Sequence, residues 1–187
     1  MTGISHRLGG ICAGLGAISL LQATDIKSQG IILGAAVIGS LLPDIDTAQS
    51  TISYKIPAVR AVVGVMQGLV RAMAGLLPRK QRDYIRSTIG HRGITHSLLF
   101  SLIFPALIIA VGYNLHTSHA IMAALGMMAG ILSHILLDIF SNGSPLFLPF
   151  SKKRVTGARI KTGGIIERIF QAGLVVLTTI IAKYTFM

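Results

Sequence analysis

A chain of 187 residues is long enough for one domain and short for two. Hydrophobic residues make up 52% and charged residues only 12%, with a mean hydropathy of +0.71. This excludes an ordinary soluble or disordered protein and points to an integral membrane protein. The net charge of +11, from 17 basic and 6 acidic residues, would suggest nucleic acid in a soluble chain. Here the basic residues gather in short loops between apolar segments, so membrane topology and anionic lipid headgroups account for them and no nucleic-acid partner is expected.

In chain order, Leu8–Leu21 and Gly30–Leu42 are apolar runs short of the ~20 residues of a full span, so each must borrow flanking residues to cross. Arg7 alone precedes the first run and no good cleavage site follows it, so insertion without cleavage is expected. Cys12 lies in apolar surroundings and reads as structural. Ala58–Leu77 is interrupted by Arg60, Gln67 and Arg71, which predicts an amphipathic helix lying in the interface. Ile94–Tyr113, with Pro105 expected to kink it, and His119–Phe140 are full-length spans joined by the short link Asn114–Ser118. Ile165–Phe186 is the last span. The predicted architecture is an all-α polytopic bundle, one membrane-embedded domain over residues 1–187, with about five membrane segments and one interfacial helix.

Two basic loops set the orientation. Pro78–Arg92 carries Arg79, Lys80, Arg82, Arg86 and Arg92, and Ser151–Lys161 carries Lys152, Lys153, Arg154, Arg159 and Lys161. Two spans separate them, so both lie on one side, which the positive-inside rule makes cytoplasmic.

The segment His119–Phe140 carries a stripe at four-residue spacing, Gly126, Gly130, His134 and Asp138. On a helix these form one ridge, whose glycines admit a second helix closely. An imidazole and a carboxylate one turn apart inside a span are costly and need partners. Alone, such a pair is as often a structural hydrogen bond as a ligand pair. Partners are present: His6 near the start of the chain, Asp44 and Asp46 in LLPDIDT, and His91 and His96 in HRGITHS, with His96 expected in the first turn of its span and Thr95 or Ser97 able to cap or orient it. Acids at the negative end of a helix are disfavoured unless a cation compensates. The topology brings all of these, and Glu167 at the start of the last span, to one membrane face. His116 and His119 fall at the other face and read as solvent-facing, while Gly10/Gly14, Gly30/Gly34 and Gly64/Gly68 read as helix-packing faces.

The reading is a metal centre with His6, Asp44, His91, His96, His134 and Asp138 as ligands. Asp46 or Glu167 would orient water or act as general base, and Arg92 would hold a substrate phosphate. Mixed imidazole and carboxylate donors suit Zn²⁺, with Mn²⁺ or Fe²⁺ as alternatives, and the donor number allows one to three ions. Such an ion would polarise a phosphoryl or carbonyl oxygen and acidify a bound water. A site at the cytoplasmic headgroup level favours a lipid or lipid-linked substrate arriving laterally. Two other readings share these residues, a transporter or ion pathway and a non-catalytic scaffold with a structural metal.

These elements also carry a family resemblance. His6, LLPDID at Leu41–Asp46 with Ser50, HRGITHS at His91–Ser97, SHILLD at Ser133–Asp138 and TGG..E at Thr162–Glu167 occur in order along most of the chain. It resembles the bacterial membrane-bound metal-dependent hydrolases of the YdjM type, some of them LexA-regulated, which are regarded as distantly similar to zinc-dependent phospholipases C and single-strand nucleases. The resemblance implies phosphoester hydrolysis at an inner-membrane site. Ala48 departs from it, since a proline commonly follows the DID element.

Overall fold

The computed structural model describes residues 1–46, 68, 72, 74–88, 93–117 and 119–187. Among these it is all-helical: α1 (Gly3–Leu20), α2 (Ile26–Gly39), α3 (Arg79–Thr88), α4 (Leu98–Asn114), α5 (Ala120–Ser141) and α6 (Ile165–Phe186), with 3₁₀ turns at Pro43–Asp46 and Ile94–His96. One antiparallel bridge, Ser144 to Val155, closes part of the α5–α6 loop.

Capping chemistry explains where the helices depart from the apolar runs. α2 begins at Ile26 because the Asp25 carboxylate accepts the Ser28 N–H at 2.8 Å, four residues ahead of the apolar run. α4 begins only at Leu98, because Ser97 caps it by accepting the Phe100 N–H at 3.3 Å. His96 therefore sits in the preceding 3₁₀ turn and not in the first turn of the helix, which corrects the expectation from sequence. α4 runs on through Pro105. α5 stops where Gly143, at φ +80°, turns its N–H back to the Asp138 carbonyl at 2.9 Å. Part of the expected basic loop after Pro78 is helical, since Arg79–Thr88 is rich in good helix formers and Pro78 precedes its first turn. Of the expected interfacial helix, Gly68, Ala72, Ala74 and Gly75 are helical, Leu76 and Leu77 lie in a turn, and the rest, with Arg60, Gln67 and Arg71, lies outside the described residues.

Among the described residues, two helices are long and apolar enough to cross a membrane, α5 and α6, each of 22 residues. The expected number of five is corrected by geometry. α2 has 14 residues and α4 has 17. At 1.5 Å per residue these reach about 21 and 26 Å, short of a ~30 Å hydrocarbon core. α1 has 18 residues, but Ser5, His6 and Arg7 dilute its apolar character.

α5 is the central helix, packed against α1, α2 and α4, while α6 leans on α1. Its glycine stripe meets α2 at the backbone: a Cβ on Gly126 would strike the Ile32 carbonyl, and one on Gly130 the Ala36 carbonyl and Ser40 N. The contacts advance by four residues on both helices, so α2 and α5 run parallel, and α2 ends beside His134 while α5 runs on to Ser141. Gly10 of α1 packs onto Ser40 from the other side, and Gly14 onto Ala36 and Leu33. Gly30 and Gly34, expected to be a packing face, meet nothing within 4 Å. Met127, Ile131 and Ile135 of α5 close the core with Ala35 and Leu42, flanked by Phe100 and Phe104.

Candidate metal centre

At the end where α2 and α5 finish, four stretches of chain bring imidazoles and carboxylates together. α5 supplies His134 and Asp138, α1 supplies His6, and the two 3₁₀ turns supply Asp44 and His96. His6, His96, His134 and Asp138 are all buried, with 2% exposure or less, whereas Asp44 is 29% exposed. His96 Nε2 lies 3.3 Å from His134 Nε2 and 3.3 Å from Asp138 Oδ2, and His134 Nε2 lies 3.7 Å from Asp138 Oδ2. Asp44 Oδ1 is 3.6 Å from both imidazole Nε2 atoms. The His6 ring stacks on His134 with centroids 3.7 Å apart, and its Nε2 is 3.5 Å from Asp138 Oδ1.

Hydrogen bonding on the far side of the rings decides what these atoms can do. His134 Nδ1 lies 2.6 Å from the Ser40 carbonyl, which can only accept, so Nδ1 carries the proton. In the neutral ring that leaves a lone pair on Nε2, aimed at the His96 and carboxylate atoms. His96 Nδ1 is in turn 3.1 Å from the Thr95 hydroxyl. Two ligands held about 2.0–2.1 Å from a tetrahedral Zn²⁺ stand roughly 3.3–3.5 Å apart. The triangle of His96, His134 and Asp138 has nearly these edges, so the residues fit one face of a tetrahedral site, and Asp44 Oδ1, 3.6 Å from both imidazole Nε2 atoms, stands at the distance of a further ligand. The buried His6 Nδ1 has no hydrogen-bond partner among the described residues, and His6, Asp44 and His134 form a second group whose donor atoms lie within 4.8 Å of one another. The buried His/Asp groups could thus hold an ion in either set, with His134 Nε2 the donor common to both.

Charge is partly balanced within the protein. The Met1 ammonium donates to Asp138 Oδ1 at 3.3 Å and to Ser141 Oγ at 3.1 Å. Burial opposes ionisation of Asp44, but the hydrogen bond from His96 and the neighbouring imidazoles outweigh it and hold its carboxyl at a pKa of about 2, so it is an anion at neutral pH.

Of the residues expected from sequence, His6, Asp44, His96, His134 and Asp138 are brought together. His91 and Arg92 lie outside the described residues, and Asp46 is described by its backbone alone. Glu167 is near the chain's first turn but occupied otherwise. Its carboxylate accepts the Thr2 N–H at 2.6 Å, the Thr2 and Ser5 hydroxyls at 3.0 and 2.5 Å, and the Gly163 N–H at 2.6 Å. This clasp ties the start of α1, and so His6, to the start of α6. It occupies the carboxylate that was expected to orient water or act as base.

Sequence reasoning missed Ser40, Thr2, Ser5 and Ser144. Ser40 acts through its carbonyl, which is free because it caps the end of α2. No side-chain pattern announces that, although the matching four-residue spacing of Ile32, Ala36 and Ser40 could have suggested it. Ser144 donates to the His96 carbonyl at 2.8 Å and so holds the ligand-bearing turn against the α5–α6 loop.

Because Gly130 sits one turn before His134, Gly130→Ala should push the end of α2 away and lengthen the Ser40–His134 hydrogen bond. Loss of such an orienting partner costs ~10–100-fold in metal affinity. A competition titration with a chelating dye, alongside circular dichroism to check helix content, measures this. Unchanged affinity in a folded variant would sever the link between the helix contact and the ligand.

A family model described as YdjM inner membrane protein matches residues 1–186. The uncharacterized protein YvsG of Bacillus subtilis (strain 168) is 29% identical over 175 residues, covering 93% of this chain and 89% of that protein. The inner membrane protein YbcI of Escherichia coli (strain K12) is 30% identical over 142 residues, 76% of this chain, and the match spans 62% of that relative's length, less than two thirds. No solved structure matches the chain. On the match along its length, the chain belongs to the YdjM inner membrane protein family.

Proposed function

We propose that the protein is a multi-pass inner-membrane hydrolase, dependent on a divalent metal, that cleaves a phosphoester in a lipid or lipid-linked substrate at the cytoplasmic face. The observation that carries this reading is the His96–His134–Asp138 triangle, three buried donors at the spacing of metal ligands, with the 29% exposed Asp44 3.6 Å from both imidazoles. The partly exposed Asp44 at the edge of the buried triangle gives water and substrate a way to the ion, which a closed structural site would not need. The donor set favours Zn²⁺, with Mn²⁺ or Fe²⁺ as alternatives; bound there, the ion would act as a Lewis acid on a phosphoryl oxygen and acidify water. The chain's own groups do the rest. Ser40 fixes the tautomer of His134, Asp138 contributes charge, and Asp44 presents a carboxylate anion at the accessible side, placed to ligate the ion or to accept a hydrogen bond from water.

The phosphoester class rests on the resemblance to zinc-dependent phospholipases C and single-strand nucleases. The cytoplasmic assignment rests on the exposed cations Lys152, Lys153, Arg154, Arg159 and Lys161, which follow the metal-centre end of α5. The same residues favour anionic lipids as neighbours. Arg92 is assigned to the substrate phosphate by sequence.

The test is metal content of the purified protein in nanodiscs, followed by a screen of phospholipid and phosphodiester substrates. Stoichiometric metal and turnover that falls in Asp44→Asn are expected. Stoichiometric metal with no turnover on any substrate would replace the hydrolase with a scaffold built on a structural ion. Metal flux across proteoliposomes would replace it with a transporter.

A further inference from the structure

The loop between α5 and α6 does more than connect them. We infer that its turn at residues 147–154 is an interfacial anchor, in which Phe147 and Phe150 enter the acyl boundary of the leaflet beside the metal centre and Lys152, Lys153 and Arg154 engage anionic headgroups. The inference rests on the reading of α5 and α6 as membrane spans.

Covalent geometry comes first. A 22-residue helix is about 33 Å long, the thickness of a hydrocarbon core, so α5 leaves the membrane near Ser141 and α6 re-enters near Ile165. The loop is held at that surface from both ends. It is also pinned to the bundle: Ser144 and Val155 exchange two backbone hydrogen bonds of 3.0 Å, the Leu146 carbonyl accepts the Leu98 N–H at 3.0 Å, and Gly157 and Ile160 donate to the carbonyls of Ile139 and Phe140 at 2.7 Å. Within this fixed frame Leu148 points inward, with 4% exposure, while Phe147 and Phe150 point outward with 53% and 87%. Two outward aromatic rings on a turn braced by hydrogen bonds from Phe150 and Ser151 to the Phe147 carbonyl are not residue of an unfinished core.

Charge completes the pattern. Lys152, Lys153 and Arg154 follow at once and are exposed. Lys152 Nζ lies 4.4 Å from the centroid of the Tyr84 ring, which sets α3, with its exposed Arg79 and Lys80, beside the loop. Apolar rings next to a row of cations suit the boundary between acyl chains and anionic headgroups. Since Ser144 of this loop holds the His96 carbonyl, the depth of the anchor fixes the depth of the metal centre.

The chain contains no tryptophan, so Phe150→Trp installs a single fluorophore. The full-length variant is placed in nanodiscs of phosphatidylcholine with and without phosphatidylglycerol, using lipids brominated near the top of the acyl chain or near its end. Blue-shifted emission, quenched by shallow bromine and more strongly so with phosphatidylglycerol, is expected. Reversing Lys152, Lys153 and Arg154 to Glu should abolish the phosphatidylglycerol effect. Leu177→Trp on the exposed face of α6 is the reference and should be quenched by deep bromine. If the reference is quenched but the indole at position 150 is red-shifted and reached by aqueous iodide, the anchor is refuted and the spans stand. If neither responds to bromolipid, the spanning reading fails first and takes the anchor with it.

Discussion

Asp138→Asn is expected to lower metal affinity by at least about 10²-fold, more than the loss of an outlying hydrogen bond to a ligand costs. Asp138 is 1% exposed, its two oxygens face His6 and His96, and the Met1 ammonium also leans on it. The amide keeps the volume but removes the charge, and it puts an N–H₂ donor where a lone pair is needed. Hydrolysis should fall with the metal, while insertion is unchanged because no packing atom is lost. Metal content and activity measured together in nanodiscs decide the matter, and full metal retention would remove Asp138 from the ligand set.

Glu167→Gln should act on stability. Four donors converge on its carboxylate, and Gln171 Nε2 braces two of them by hydrogen bonds to the hydroxyls of Thr2 and Ser5 at 3.1 and 2.9 Å. A glutamine can accept at one oxygen only, and its nitrogen meets donors. Three of the donors share one oxygen, so the amide oxygen can keep them and the Gly163 N–H is left facing the NH₂; a buried donor left unpaired costs about 1–3 kcal/mol, and a loss of that size in unfolding free energy is expected. His6 follows Ser5 directly and should lose its place, so the His6–Asp44–His134 group is weakened while the His96–His134–Asp138 group persists. Denaturant unfolding and metal stoichiometry measure both effects. Turnover reduced with stability and stoichiometry intact would instead restore Glu167 to the role of base that its position in the sequence suggests.

The contrast between these two residues marks what was legible in the sequence. His134 and Asp138 could be read because four-residue spacing on a long apolar helix allows one arrangement, two polar groups on one ridge behind two glycines. His6, Asp44 and His96 could be read because alternating hydrophobic segments force their ends to share a face. Glu167 was legible as a member of that end, but the clasp it closes was not, since the donors that occupy it are backbone N–H groups and hydroxyls of small residues whose positions depend on how α1 meets α6. The helix starts were misjudged where caps act. Asp25 extends α2 before its apolar run, and Ser97 delays α4 until after His96. The number of spans was overcounted because apolar character alone does not make a helix long enough. Ile26–Gly39 is apolar, yet it is a partner for α5 before it is a membrane span.

The parallel pairing of α2 with α5 bears on how the protein comes into being. During synthesis His6, Asp44 and His96 leave the ribosome before His134 and Asp138, and no earlier pair of them supplies the shared imidazole on which both donor groups depend. On the proposed metal reading, an ion held through His134 would be bound only once the glycine ridge has met α2 and the Ser40 carbonyl has turned the His134 ring. Metal capture would then be a late step of biogenesis, and a loaded chain an assembled one. A bound ion would thereby mark correct helix order in the membrane.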